Sequence, residues 1–377
     1  MSREISHPQW GKSPWSIYFQ PAPASMPREA DFAVVGAGFS GLSAAAWLRR
    51  FAPDKTVVVF ESAAIGAGAS GHTGGMALAE TAAGDLPGLG DVLGGFCSIL
   101  KDLEVECDLE MPGVFEIGRS GGLPDSPIAW SDSGLVRAVK NVPGGMLDPG
   151  KMVSGLARAA EKSGALIFEN LPVQEIEFGE VSCLRYPGGE LRARRVLFAT
   201  NSMSLEISDL ARCGQPKFTL AVATEPLTAE QGNVLGLSSR KPFYTIDFPY
   251  LWGRMLSTGG CVFGCGLVPV ENWRELENLD IHSGESAELI SRLESRVRGL
   301  HPEMKNVRFA NRWGGPILIA SEWRPVFGKH PRCANAVVLG AFSGHGVAQS
   351  VYLGRWAAEA LLGRKSLPNW NACEESA

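Results

Sequence analysis

The chain has 377 residues, of which 45% are hydrophobic and 20% charged, and its mean hydropathy is near zero. Such a composition supports a large buried core and excludes intrinsic disorder, and the length favours two domains. A net charge of −5 without any basic run argues against nucleic-acid binding, which requires clustered lysine and arginine side chains.

The cysteines are dispersed, and the closest pair, Cys261 and Cys265, lacks the second ligand pair of a zinc site. We therefore expect no metal site and reduced thiols in a soluble, cytoplasmic protein. The first residues lack the basic segment and apolar core of a secretion signal. The longest stretch without a charged or histidine side chain, 32–48, contains three glycines and is shorter than the roughly 20 apolar residues of a membrane-spanning helix. We expect no transmembrane segment.

The first elements form a unit that alternates strand and helix. Residues 1–27 contain five prolines and no periodicity, which predicts an irregular N-terminal arm. Buried strands are predicted at 31–35 and 56–60, with a helix between them at 40–51. Because such a crossover joins parallel strands, these three elements predict a βαβ unit.

The predicted pattern of secondary structure changes twice in the middle of the chain. Asp148 is placed to cap a helix that begins at Pro149 and runs to about Lys162. Short strands are predicted after it, at 165–168, 173–178, 181–186 and 195–199. A region of strands and turns follows, with strands at 243–246, 250–256 and 260–268 and a helix at 285–298. The final block returns to the first pattern, with a strand at 336–339, a glycine-rich turn at 340–346 and a helix at 347–362.

A glycine motif lies between the first predicted strand and helix. Gly36 permits a tight turn, Gly38 allows the backbone to approach a pyrophosphate, and Gly41 allows the helix to pack on the strand. Amide groups at the helix N-terminus donate to phosphate oxygens. Glu61 ends the second strand, where its carboxylate can accept hydrogen bonds from ribose hydroxyls. This unit predicts dinucleotide binding but does not separate FAD from NAD.

A second glycine-rich run, 66–75, follows the second strand directly. Its backbone amides can approach a bulky cofactor closely, although a flexible loop has the same composition. The residues alone leave both interpretations open.

The order GAGFSG, FES, GASGHTGG, WGG and GAFSGHGVAQS resembles the D-amino-acid oxidase-like family of flavoenzymes. The likeness extends over about residues 28–365 and looks closest to the gamma-glutamylputrescine oxidase branch, which usually has GASGRNGG where this chain has GASGHTGG. The resemblance implies an α/β fold, with a Rossmann-type, glutathione-reductase-like FAD-binding domain and a second α+β substrate domain built on a mainly antiparallel sheet. We assign the FAD-binding domain to 28–80, 148–217 and 325–368, the substrate domain to 81–147 and 218–324, the N-terminal arm to 1–27 and a tail to 369–377.

The resemblance also implies roles for individual residues toward FAD. The pyrophosphate would be held by Gly36, Gly38, Ser40 and Gly41, and the adenosine ribose by Glu61. The linker and one flavin edge would lie against Ser70, Gly71, Gly74 and Gly75, the adenine against the backbone of Val173, and the flavin N1 and C2 carbonyl against Gly344, His345, Gly346 and Val347. The further cofactor-binding candidates are Phe39, Phe60, Ser62, Gly68, Ala69, His72, Thr73, Met76, Thr200, Trp313 and Gly315.

Two of these positions bear on covalent attachment. Sarcosine oxidase-like relatives tether the flavin through a cysteine near the position of Gly315, and glycine cannot form that bond. Some dimethylglycine dehydrogenase-like relatives have a tethering histidine where His72 falls. The surrounding residues follow the untethered branch, so we expect His72 only to line the site.

The reaction implied is hydride transfer from a carbon bearing an amine to flavin N5, which gives an imine that hydrolyses. Relatives that oxidise amino acids hold the carboxylate with an arginine, and the matching position here is Ile317, which favours an amine substrate. Arg254 or Arg324 could supply that charge instead, and Tyr250, Trp252 and Arg254 are the substrate-site candidates. No catalytic acid or base is evident in the sequence. Some relatives place a lysine over the flavin, and this chain has no counterpart near 261–268, so the sequence leaves open whether oxygen or another electron acceptor reoxidises the flavin.

Other classes of dinucleotide-binding protein share part of this pattern. A nicotinamide dehydrogenase would not explain the glycine-rich C-terminal turn, and a disulfide reductase needs a cysteine pair that is absent before Cys97. A flavin monooxygenase, an amino-acid oxidase or dehydrogenase of the glycine or sarcosine type, and a non-enzymatic flavoprotein stay open as alternatives.

Overall fold

The computed structural model describes residues 3–7 and 9–370, so most of the predicted tail lies outside the described residues. Its helices are α1 (Phe39–Phe51), α2 (Ala69–His72), α3 (Val92–Asp102), α4 (Pro149–Lys162), α5 (Leu205–Ser208), α6 (Ala229–Val234), α7 (Arg274–Asn278), α8 (Gly284–Gly299) and α9 (Gly346–Leu361). The strands of the first half are β1 (Arg3–His7), β2 (Gly11–Ile17), β3 (Glu29–Val35), β4 (Val57–Phe60), β5 (Met76–Leu78), β6 (Val114–Gly118), β7 (Ala129–Ser131), β8 (Leu135–Val142), β9 (Gly144–Met146) and β10 (Leu166–Phe168). Those of the second half are β11 (Glu175–Glu177), β12 (Ser182–Tyr186), β13 (Gly189–Phe198), β14 (Gly214–Thr224), β15 (Phe243–Thr245), β16 (Trp252–Met255), β17 (Cys261–Pro269), β18 (Phe309–Ala320), β19 (Val326–His330) and β20 (Cys333–Gly340).

An eight-stranded sheet contains the predicted βαβ unit. Strands β10, β4, β3, β13 and β20 run parallel, and β11, β12 and β19 add antiparallel edges. The side chains of Val57–Phe60 are fully buried because both faces of β4 are covered: Val57 and Val59 pack into the cluster that includes α1 and α9, and Val58 and Phe60 pack into a second cluster on the other face. The strand and helix predictions for this unit and for the final block are confirmed to within a few residues.

A ten-stranded sheet forms the second layer, in the order β1-β2-β18-β14-β17-β16-β15-β6-β8-β7. All its pairs are antiparallel except β15 with β6. Helix α8 packs against β14 and β17, and its buried Leu293 and Val297 close a separate core. The α/β fold expected from the sequence, with a parallel sheet and a mainly antiparallel one, is confirmed.

The N-terminal segment departs from expectation. Residues 3–7 and 11–17 are strands rather than irregular structure, and β2 joins the ten-stranded sheet through Gly11 opposite Trp313. In β2 the side chains of Ser13, Trp15 and Ile17 alternate inward and are buried. The prediction of an irregular arm was wrong because tertiary burial outweighed the proline signal, and Pro14 is tolerated near the sheet edge.

Two further findings concern the cysteines and the helices. Six of the cysteines in residues 3–7 and 9–370 are free, but Cys213 is disulfide-bonded, so the expectation of uniformly reduced thiols is wrong for this residue. Among residues 3–7 and 9–370, no helix is both long and apolar enough to cross a bilayer.

Candidate cofactor site

The first glycine motif forms a tight turn between β3 and α1. Gly36 has a φ of +108°, and a Cβ atom at this position would lie 2.6 Å from the carbonyl oxygen of Ala199. A Cβ atom at Gly41 would clash with the carbonyl oxygen of Gly36. Glycine is therefore required at both positions, for conformation at one and for close packing at the other.

The N-termini of helices α1 and α9 have the features of an anion-binding site. Neither has a side-chain cap or an acidic residue in its first turn. Helices α3 and α4, by contrast, are capped by Asp91 and Asp148, whose carboxylates accept from the amides of Gly94 and Lys151. The first N–H groups of a helix need acceptors, so those of α9 and those of α1 beyond Phe39, whose amide donates to Ser70, are available to ligand oxygens.

Glu61 connects the first motif to the end of β4. Its Oε2 accepts from the amide of Ala37 at 2.9 Å, and its Oε1 accepts from the amide of Ala63 at 3.1 Å. Burial raises the pKa of the Glu61 carboxyl, although both backbone hydrogen bonds act in the opposite direction. The carbonyl of Glu61 accepts from the amide of Leu171 at 2.9 Å, which brings the segment of the buried Val173 beside it.

The two glycine-rich segments meet at Ser70. Its hydroxyl oxygen accepts from the amide of Phe39 at 3.0 Å and would lie 2.8 Å from a Cβ atom at Gly38. The structure thus places the start of α2 directly against the start of α1.

Side chains from distant parts of the chain hold the carbonyls of the second segment on one side. The indole nitrogen of Trp15 donates to the carbonyl of Gly71 at 2.6 Å, and that of Trp313 donates to the carbonyl of His72 at 3.1 Å. Arg254 donates through Nε to the carbonyl of Gly74. Because side chains donate to three of its carbonyls, the second glycine-rich segment, 66–75, is ordered and is not a flexible loop.

The C-terminal turn before α9 has an unusual backbone. Ala341, Ser343 and Gly344 have positive φ values of 54°, 51° and 91°. Asn201 Oδ1 accepts from the amide of Ala341 at 3.0 Å, and the Ser343 hydroxyl oxygen accepts from the amide of Ala320 at 2.9 Å. These bonds fix the position at which α9 begins.

His345 is the N-cap residue of α9, and its Nδ1 lies 3.4 Å from the carbonyl oxygen of Ser343. Burial lowers the pKa of His345, while the hydrogen bond to Ser343 and the nearby Glu80 carboxylate oppose this shift. The imidazole is therefore mainly neutral at pH 7.

His72 is buried away from solvent. Its ring lies edge-on to Trp10, with centroids 5.3 Å apart, and its Nδ1 is 2.9 Å from the carbonyl oxygen of Gly68. A Cβ atom at Gly315 would lie 2.6 Å from the Cβ of His72, so β18 can pass this close only with glycine at that position.

The other cofactor candidates fall into three groups by position. The positions at or near the first motif and the ends of β4 and β13 are Ser40, Phe60, Ser62 and Thr200. Those from the N-cap residue of α2 to the first residue of β5 are Gly68, Ala69, Thr73, Gly75 and Met76. Those at the start of α9 are Gly346 and Val347.

The substrate-site candidates lie in two places, with Trp252 and Arg254 both against Gly74 and Tyr250 partly exposed at the surface. Tyr250 is half exposed and lies against Phe248, with ring centroids 4.4 Å apart. Arg254 is buried under Gly74, where burial lowers its pKa to about 10. Trp252, between them in sequence, places its ring against Gly74 and Gly264, where Cβ atoms would collide with it.

The family model of FAD-dependent oxidoreductases matches residues 31–360. The chain belongs to this family. It is therefore an oxidoreductase that uses FAD, and FAD binding and enzymatic activity, both expected from the sequence, are confirmed.

Three relatives of this FAD-dependent oxidoreductase illustrate the likeness. The gamma-glutamylputrescine oxidoreductase of Escherichia coli K12 is 25% identical over 379 aligned residues, which cover 88% of this chain and 84% of that protein. The crystal structure of glycine oxidase from Geobacillus kaustophilus has a TM-score of 0.70 at 17% identity, covering 90% of this chain and 96% of that one. The crystal structure of L-proline dehydrogenase from P. horikoshii has a TM-score of 0.72 at 17% identity, and the match covers 92% of this chain and 98% of that one. At these identities the solved structures show a shared fold.

The geometry of this FAD-dependent oxidoreductase fits its cofactor. Two helix N-termini without acidic first turns, a carboxylate at the end of β4 that accepts from the first glycine turn, and a glycine-rich segment packed against the start of α1 are features that suit a dinucleotide. Sequence reasoning missed Trp15, Glu80, Glu116 and Tyr244, since no motif marks them and their partners are distant in sequence.

Proposed function

We propose that this chain oxidises the C–N bond of an amine to an imine, which then hydrolyses to a carbonyl compound and an amine or ammonia. Ile317 carries this proposal. Its Cδ1 lies 3.4 Å from the position of a Cβ atom at Gly344, so an aliphatic side chain stands beside the turn that precedes α9. An isoleucine cannot pair with a carboxylate, and an unpaired carboxylate in a dry pocket is strongly disfavoured.

The two arginines that could have bound a substrate carboxylate, Arg254 and Arg324, make other contacts within the protein. Arg254 donates to the carbonyls of Gly74 and Met255, and Arg324 pairs with Glu322 at the surface. The similarity to a gamma-glutamylputrescine oxidoreductase, whose name denotes an amine derivative, supports the same substrate class.

We assign FAD to the residues that the sequence singled out. The N–H groups at the start of α1 would hold the pyrophosphate, Glu61 would accept from the ribose, and the N–H groups at the start of α9 would lie against the flavin. Bound FAD would supply the acceptor for the hydride that leaves the amine-bearing carbon. Burial favours the neutral form of His345, so the positive end of the α9 dipole, rather than an imidazolium, would favour negative charge on the flavin.

The test is the rate of flavin bleaching in anaerobic stopped-flow experiments with glycine, sarcosine, D-alanine, putrescine and a gamma-glutamylated amine. We expect putrescine or the gamma-glutamylated amine to reduce the flavin fastest. Fastest reduction by glycine, sarcosine or D-alanine would overturn the assignment to amines. Admission of air to the reduced protein then shows whether oxygen is an acceptor.

A further inference from the structure

A pair of carboxylates surrounds one phenol beside the candidate cofactor site. The hydroxyl oxygen of Tyr244 lies 2.9 Å from Oε1 of Glu80 and 3.0 Å from Oε1 of Glu116. Tyr244 belongs to β15 and Glu116 is its partner in β6, whereas Glu80 follows β5. We refer to Glu80, Glu116 and Tyr244 as the carboxylate cluster.

The carboxylate cluster has more acceptors than donors. A tyrosine hydroxyl has one hydrogen, which it can donate to only one of two carboxylates. Burial and both carboxylates raise the pKa of Tyr244, so the phenol keeps its proton. Lys140 lies 3.9 Å from Glu116, but its side chain is 66% exposed and its charge is largely screened by solvent. The second carboxylate therefore faces a lone pair of the Tyr244 oxygen and needs a hydrogen-bond donor from another group.

Gln349 supplies a second, independent sign of a missing donor. Its side chain is fully buried in the first turn of α9, and its Nε2 donates to the backbone carbonyl of Glu80 at 2.6 Å. Its Oε1 has no hydrogen-bond donor within the described part of the chain. Buried amide oxygens are normally paired, so this acceptor beside Glu80 also lacks an N–H partner.

The carboxylate cluster adjoins both halves of the cofactor site. Gln349, in the first turn of α9, donates to the backbone carbonyl of Glu80, so Glu80 lies beside the start of that helix. Tyr244 pairs across β15 and β16 with Trp252, whose ring rests on Gly74. A ligand group between Glu80 and Glu116 would thus lie next to the segments that we assign to the flavin.

We propose that the carboxylate cluster binds a protonated aliphatic amino group of the substrate, at a nitrogen distinct from the one that is oxidised. An ammonium group has three N–H donors and a positive charge, which suit two carboxylates that share one phenol hydrogen, and the Gln349 amide that contacts the Glu80 backbone offers a further acceptor nearby. The oxidised nitrogen must be neutral, because its lone pair assists departure of the hydride, and two carboxylates would keep it protonated. The substrate class is then a diamine or a longer amine with a second cationic nitrogen. This inference rests on the proposed amine oxidation.

The experiment compares putrescine, which has two nitrogens, with butylamine, which has one. Binding is measured by anaerobic calorimetry on the dithionite-reduced holoenzyme, which cannot accept a further hydride. In the unaltered protein we expect putrescine to bind about 10- to 100-fold more tightly than butylamine, the range for hydrogen bonds to charged groups. Glu80→Gln and Glu116→Gln should each reduce this ratio about tenfold or more, while Glu175→Gln, in a surface ion pair with Arg185, should leave it unchanged.

The ratio separates recognition from structural damage, since a general loss of the site weakens both ligands alike. Equal binding of the two amines to the unaltered protein, or an unchanged ratio in Glu80→Gln and Glu116→Gln, would overturn the inference. If one variant does not retain flavin, the other decides alone. If the ratio behaves as expected but no amine reduces the flavin, amine oxidation fails while the ammonium site stands. If amines reduce the flavin but the ratio is unchanged in both variants, the ammonium site fails while amine oxidation stands.

Discussion

The indole nitrogen of Trp15 donates a 2.6 Å hydrogen bond to the carbonyl oxygen of Gly71, so a strand near the N-terminus orients the glycine-rich segment of the cofactor site. Trp15 also packs edge-on against Trp313, which holds the next carbonyl along the segment, that of His72. The N-terminal strands therefore contribute to the site as well as to the sheet.

Trp15→Phe tests this contribution. The variant keeps an aromatic ring but leaves the Gly71 carbonyl without its donor, and a net hydrogen bond contributes about 0.5–1.5 kcal/mol. We expect the Kd for FAD, measured by flavin fluorescence, to rise about 2- to 13-fold. Trp47→Phe is the matched control, because the buried indole nitrogen of Trp47 has no acceptor among residues 3–7 and 9–370. Equal losses of affinity in the two variants would count against the role of Trp15.

Gly36→Ala should lower both stability and FAD affinity. The alanine would have to adopt a φ of +108° with its Cβ 2.6 Å from the Ala199 carbonyl, and such strain costs about 1–3 kcal/mol. Urea unfolding of the FAD-loaded protein measures this loss. Gly232→Ala, in α6, is the control, since Gly232 has no positive φ and has open space at the Cβ position. The expectation is wrong if the two variants unfold at the same urea concentration.

The glycine motifs could be predicted from sequence because their residues are contiguous and each glycine has a local reason. Gly36 needs a positive φ, and Gly41 needs close contact with a backbone only a few residues away. The strand at Trp15 could not be predicted in this way. Its alternation is short and contains Pro14, and the strand depends on contacts distant in sequence, with β18 and α4.

The carboxylate cluster lay beyond sequence reasoning for a related reason. Tyr244 is separated from Glu80 by 164 residues and from Glu116 by 128 residues. No local pattern distinguishes these carboxylates from the many at the surface, and only the parallel pairing of β15 with β6 and the turn after β5 bring them together. Tyr250 shows the reverse case, since its sequence context suggested the site but its side chain is half exposed.

His345 should make stability fall at mildly acidic pH. An unfolded histidine has a pKa of about 6.5, whereas burial lowers the pKa of His345 in the folded protein. Below about pH 6.5 the unfolded chain therefore binds a proton that the folded one does not, and the free energy of unfolding falls until the pH passes the folded pKa. His345→Gln removes this contribution, so its Tm should decline less steeply than that of the parent between pH 7 and pH 5. Parallel Tm profiles would exclude the effect.

His72 should not tether the flavin. Its ring is buried against Trp10, and β18 passes its Cβ at Gly315, so the imidazole is packed within the protein. We expect trichloroacetic acid to release all the flavin into the supernatant and mass spectrometry to find no flavin adduct on the peptide containing His72. Yellow colour that remains in the washed pellet would show a covalent bond.

Ile317→Arg should shift the substrate preference toward α-amino acids. A guanidinium beside Gly344 would pair with a carboxylate through two parallel hydrogen bonds, which the isoleucine side chain cannot do. Hydrogen bonds to charged groups contribute about 1.5–3 kcal/mol, so the ratio of kcat/KM for sarcosine to that for putrescine should rise at least about tenfold. Ile317→Met, uncharged and of similar volume, is the control and should leave the ratio near its original value. Because both substrates are compared in one variant, partial loss of flavin or stability cancels in the ratio. If Ile317→Arg retains flavin but its preference does not move, Ile317 does not face the substrate and the argument for an amine substrate loses its main support.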